Sequence, residues 1–309
     1  MNIGGAIQSI ASIIIIVFIG YMLSKKGFFR KGDSEVFSKI VCNLSLPLMM
    51  INTLCKNFTK DKLGQMLYGI LIPIASIIIC YLISCLFGIW IKNKKRLGIF
   101  KVMFVASNTI FIGMPLNQAI FGEEGLPYVL VYYLANTIFF WTLGIYLISK
   151  DGLGKGSKPS LKKLLSPPLA AFLIGLLLVF FNITLPKVLM DVCCYIGNMT
   201  TPLSLLFIGM TFNSIRLKDI TVERDTIFVF VGRFILSPVI IYLLARAIPI
   251  PDLMERVFIV QASLPVMAQA AIISKSYGAD YKYAATVITL STLFGLLTIP
   301  AWILILANI

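Results

Sequence analysis

No histidine occurs in the chain, and only 13% of its residues are charged, about half the share usual in a soluble domain. The first absence removes the commonest general base and metal ligand. The six cysteines (Cys42, Cys55, Cys80, Cys85, Cys193 and Cys194) form no CxxC pair and lie mostly in or beside apolar runs. They read as packing residues, so zinc and haem motifs find no support, and neither a metal site nor a cofactor is expected. Carboxylates are scarce too: 13 in all, each falling in a loop or near a helix end. A side-chain proton relay of the usual kind therefore has no evident carrier inside the apolar segments. The first lysine is Lys25, so the N-terminus lacks the basic region of a signal peptide.

What is present is apolar. Hydrophobic residues make up 59% of the chain, with a mean hydropathy of +0.94. One spanning helix takes about 20 apolar residues, and the pattern predicts an all-α integral membrane protein with ten transmembrane helices. They run about Ile3–Leu23, Val36–Leu54, Leu67–Ile91, Ile99–Phe121 and Leu126–Ser149, then Pro168–Phe181, Val188–Phe212, Ile227–Ile248, Leu253–Ser276 and Tyr283–Leu306. The expectation is a single polytopic membrane domain over 1–309. Within it, 1–149 is a first five-helix repeat, 150–166 a cytoplasmic linker, and 167–309 a second, inverted five-helix repeat.

The formal net charge of +14 would suggest nucleic acid in a soluble protein. Here the basic residues cluster in short loops, and the odd-numbered loops hold most of the 27 lysines and arginines. The positive-inside rule makes those loops cytoplasmic and leaves both termini outside the cell membrane. Nucleic acid is not an expected partner.

The stretch Asn108–Gly122, NTIFIGMPLNQAIFG, reads badly as a plain helix. Gly113 and Pro115 fall at the middle of the fourth span, and Asn108, Asn117 and Gln118 put amides at or near membrane depth. Unsatisfied polar groups there cost several kcal/mol unless protein or a water-filled cavity covers them. Two readings follow: a proline kink, or a discontinuous helix at a transporter binding site. The halves of the chain bear on the choice. Laying Ser107 over Ser263 brings Phe121–Gly122 over Tyr277–Gly278, with Pro47 and Pro202 one residue off that register. Five helices per half force the second half into the membrane upside down. Inverted repeats with an interrupted helix at matching places point to a secondary-transporter site.

Asn108-Thr109, Gly113-x-Pro115-Leu116 and Phe121-Gly122 resemble the fourth helix of the auxin efflux carrier family, which includes the PIN auxin exporters and bacterial malate or malonate carriers. Gly27–Met50 resembles that family's second helix with the loop before it, and Ala262–Asp280 its ninth. The resemblance spans essentially the whole chain. It implies the fold of the bile acid/sodium symporter group: a 5+5 inverted repeat, with helices four and nine broken and crossing in a core domain beside a scaffold domain. It also implies a homodimer through scaffold helices. One departure matters: plant members have a second proline about where this chain has Ala270, beside Gln269. The break in the ninth helix is therefore left open.

If both helices break near the midplane, the N-termini of their second halves point at one spot and offer an anion site made of backbone. Asn108, Thr109, Gly113, Pro115, Asn117 and Gln118 would line it from the fourth helix, and Gln261, Ser263, Pro265 and Gln269 from the ninth. Asn43 could face it from the second helix. Arg233, the one basic residue well inside a helix, either snorkels, attracts an anionic substrate, or locks core helices together. Asn136 in the fifth helix reads as a helix-packing amide. The expected function is secondary active or facilitative transport of a small organic anion, a carboxylate such as malate or malonate or an auxin-like acid. Membrane lipid surrounds the protein, and coupling to sodium or protons is left open. The alternatives are a non-transporting sensor, a channel on the same fold, or an integral membrane enzyme. The last is disfavoured by the missing acid, base and metal side chains.

Overall fold

A computed structural model describes residues 3–30, 32–60, 64, 68–157, 166–213 and 223–308. Parts of the expected linker (158–165) and of the seventh loop (214–222) lie outside the described residues.

The described chain is helical, with one isolated antiparallel bridge. The helices are α1 (Ile3–Lys25), α2 (Asp33–Asn57), α3 (Leu71–Trp90), α4 (Leu97–Val105), α5 (Thr109–Leu153) and α6 (Pro167–Phe180). They continue as α7 (Lys187–Asn213), α8 (Arg224–Ala247), α9 (Asp252–Ala262), α10 (Gln269–Ser276) and α11 (Tyr281–Asn308). Among the described residues six of these, α2, α3, α5, α7, α8 and α11, are long and apolar enough to cross a bilayer. Two shorter apolar helices cover Ile10–Lys25 and Pro167–Phe180.

The spans expected fourth and ninth are each in two pieces. α4 stops at Val105 and α5 begins at Thr109; α9 stops at Ala262 and α10 begins at Gln269. α5 is 45 residues long, far more than one bilayer needs at 1.5 Å per residue. Its winding is interrupted at Gly122 (φ 68°, ψ −163°), a conformation only glycine adopts freely. Gly278, which the internal repeat lays over Gly122, also has a positive φ of 71°.

The prolines account for another departure. Pro47, Pro115 and Pro238 do not break their helices. Each is preceded by a five-residue π-turn: Val41–Ser45, Thr109–Gly113 and Gly232–Leu236. A proline lacks the N–H that its turn needs, and its ring presses on the carbonyl four residues back. Widening the preceding turn absorbs both. Gly113 and Pro115, the expected break, are thus wound into continuous helix, and the interruption comes earlier, at 106–108.

The chain divides into two compact units. The first holds Met1–Tyr68, Ile110–Val131 and Leu165–Ile215. In it α1 and α7 pack at backbone distance: a Cβ on Gly209 would fall 2.1 Å from the Val17 carbonyl oxygen, and one on Gly20 would fall 2.7 Å from that of Leu206. Small residues permit such an approach between membrane helices, where dispersion rather than the hydrophobic effect drives association. The second unit holds Gly69–Thr109, Tyr132–Leu164 and Arg216–Ile309. Its core is apolar and aromatic, with Phe100, Val102, Phe104, Phe140, Val229, Ala284 and Val287 fully buried. On α3 the polarity is inverted relative to a soluble helix. Ser76, Cys80 and Ser84 are buried while Ile78, Leu82 and Leu86, at four-residue spacing, are exposed, as a lipid-facing stripe requires.

Candidate functional site

In the second unit the two interruptions meet. Ser107 and Val266 form the antiparallel bridge. Asn108 N–H donates to the Pro265 carbonyl at 2.9 Å, and Met267 N–H donates to the Ala106 carbonyl at 3.1 Å. Non-helical backbone at membrane depth demands such pairing. The outer edges of this two-stranded piece are covered by side chains. Ser107 N–H donates to Asn136 Oδ1 at 3.1 Å, and Asn136 Nδ2 donates to the Ser107 carbonyl at 3.0 Å. On the far side Val266 N–H donates to Ser291 Oγ at 3.2 Å.

Arg233 on α8 closes the arrangement from below the helix ends. Its side chain is fully buried. Nη1 donates to the Val105 carbonyl at 2.7 Å, Nη2 to Ala262 at 2.7 Å and to Leu264 at 3.1 Å, and Nε to Leu264 at 3.2 Å. Val105 ends α4 and Ala262 ends α9. Each end presents unpaired carbonyls and a partial negative charge, so one guanidinium caps two helix C-termini. Among the described residues no carboxylate pairs with it. The dipoles of two helix ends stand in for a counter-ion.

The expected site residues divide between the units. Asn108, Thr109, Gln261, Ser263, Pro265 and Arg233 are all buried in the second unit, on or next to the paired interruption, and Gln269 is half-buried at the first position of α10. Neither amide atom of Gln261 has a hydrogen-bond partner. Ser263 Oγ donates to the Val260 carbonyl. Gly113, Pro115, Asn117 and Gln118 belong to the first unit. There Asn117 Nδ2 donates to the Gly113 carbonyl at 2.7 Å, its Oδ1 has no partner, and Gln118 Oε1 accepts from Thr201 Oγ1 at 2.5 Å. Asn43 is exposed, in the π-turn of α2.

Two residues matter more than their sequence context suggests. Asn136 holds the interruption rather than merely packing two helices, and Ser291 does the corresponding work for the other strand. The internal repeat carries a signal for the pair: Ser291 falls one residue off the register from Asn136, as Pro202 does from Pro47.

Among known proteins, the family model described as "Membrane transport protein" matches residues 6–160 and 156–303. The chain belongs to that family. It is the family to which the resemblance to auxin efflux carriers points. This transporter is 27% identical over 305 residues to an uncharacterized transporter of Methanocaldococcus jannaschii, covering 96% of this chain and 97% of the relative. It is 26% identical over 309 residues to an uncharacterized transporter of Methanothermobacter thermautotrophicus, covering 98% and 99%. It is a multi-pass membrane transporter and not an enzyme.

Proposed function

We propose that the transporter moves a small organic anion across the plasma membrane by secondary active or facilitative transport, with its site at the paired interruption. The observation that carries this reading is the bridge between Ser107 and Val266, held by Asn136, Ser291 and Arg233. Non-helical backbone at membrane depth is tolerated only where protein buries it or it lines a cavity, and paired discontinuous helices of this kind form the substrate sites of many secondary transporters. The helix that starts at Gln269 brings a positive dipole end next to the bridge. Gln261, buried with both amide atoms unpartnered, and Asn108 supply side-chain recognition for a carboxylate.

Arg233 in this reading is a lock and not a substrate ligand, because its fork is spent on three carbonyls. The positive φ shared by Gly122 and Gly278 and the matched breaks after Val105 and Ala262 support ten spans in a 5+5 inverted repeat, with 1–149 and 167–309 as its halves. Alternating access by movement of a core against a scaffold, both termini outside, and a homodimer through scaffold helices belong to the same proposal. An uncoupled monoanion leaving a negative interior has about 2.3 kcal/mol per 100 mV in its favour, so efflux needs no cation, whereas concentrative uptake needs sodium or a proton.

The test is current on capacitively coupled proteoliposomes after injection of malate, malonate, lactate or an indole acid, without sodium and then with sodium or a pH step. A substrate-specific current lost in Asn108→Ala is the expected result. Silence for every anion in folded protein would remove the organic-anion reading and favour a sensor.

A further inference from the structure

A second polar site lies in the second unit, away from the interruption. It is a cavity of about 650 Å³ between the start of α4 and the end of α5, lined by Lys95, Lys101, Lys150, Asp151, Leu147 and Leu153 among others. Its floor is fixed by close backbone contact: a Cβ on Gly98 would fall 2.3 Å from the Leu147 carbonyl oxygen. That approach lets Asp151 Oδ2 accept from Ile99 N–H at 2.9 Å, which caps α4. Asp151 is the cavity's one acid. None of the three lysines takes part in an ion pair among the described residues; Lys101 Nζ lies 5.9 Å from the Tyr81 ring centroid. Three lysines thus line one cavity whose other walls include leucines.

We propose that this cavity binds the phosphate headgroup of an anionic phospholipid. Three lysines against one acid give the site a net positive charge, and lysine is a phosphate binder through its point charge. The leucines supply apolar surface for the glycerol and the first acyl carbons. Trp90, half exposed at the end of α3 and a few residues before the Lys92–Arg96 basic run, marks this end of the unit as the depth of the membrane interface. Basic pockets between membrane helices at that depth are headgroup sites. The site rests on the geometry of α4 and α5 alone, and holds whether or not the anion-transport reading does.

Native mass spectrometry of the full chain released from nanodiscs of phosphatidylcholine with phosphatidylglycerol tests it. The expected result is retention of phosphatidylglycerol over phosphatidylcholine, with affinity reduced about five-fold per Lys→Gln change and roughly a hundred-fold in the triple variant Lys95→Gln/Lys101→Gln/Lys150→Gln. Asp151→Asn keeps an acceptor for Ile99 N–H and should tighten binding several-fold. Undiminished retention by the triple variant would overturn the proposal. Equal competition by free glycerol phosphate would overturn the lipid as the source and make the site one for a soluble phosphate compound. Both readouts use exposed or half-buried side chains, and neither requires transport.

Discussion

Asn136 pairs with Ser107 as one β-strand pairs with the next: its amide accepts from the Ser107 N–H and donates to the Ser107 carbonyl, at 3.1 and 3.0 Å. A single side chain therefore stands in for a whole strand at a place where the bilayer supplies no water.

Asn136→Leu should leave the Ser107 N–H buried without a partner and its carbonyl with the Thr109 N–H alone, a loss of about 1–3 kcal/mol. Thermal unfolding in detergent will read this as a marked fall in Tm. Asn136→Asp retains the acceptor but buries a carboxylate with no paired cation, and its Tm should fall at least as far as that of the leucine variant. A leucine variant as stable as the wild type would mean that the interruption holds itself together.

Arg233→Ala should cost about 3–5 kcal/mol, because the carbonyls of Val105, Ala262 and Leu264 lose their donor together. Arg233→Lys keeps the charge without the fork and should recover part of that. If instead Arg233→Ala folds normally and only weakens substrate binding, the residue attracts the anion and is not a lock.

Gln261 offers the reverse case. Its amide is buried with no partner, so Gln261→Leu should leave stability unchanged or raise it. The same variant should abolish the substrate-specific current. Loss of both stability and current would mean that the amide is structural.

Gly209→Ala should destabilise the first unit by about 1–3 kcal/mol, since the added methyl would fall 2.1 Å from the Val17 carbonyl oxygen. The change lies on the α1–α7 contact, so circular dichroism melting should report it. Binding at the interruption in surviving folded protein should be unchanged.

Much of this was legible in the sequence. Polar residues at Asn108 and Ser263 in otherwise apolar runs, and the pairing of Gly122 with Gly278, located both interrupted helices. The position of the first interruption was not. Gly113 and Pro115 are the strongest local breakers, yet a π-turn ahead of Pro115 carries the helix through. The actual break at 106–108 contains no proline and no glycine. It is specified by partners far along the chain: Asn136, Pro265 and Met267, with Arg233 at its edge. No local propensity encodes such partners. The role of Arg233 was legible only as an alternative, because a buried arginine without a carboxylate reads equally well as a ligand until its carbonyl partners are known.

The guanidinium of Arg233 belongs to one helix, and its acceptors are the last carbonyls of two others and that of Leu264, just past the end of α9. A slip of an ångström by α4, α8 or α9 against the other two would strand a charge or a carbonyl in hydrocarbon. Those three helices are mechanically one part, riveted at a single side chain, and whatever motion the protein makes must carry them together or leave them all in place.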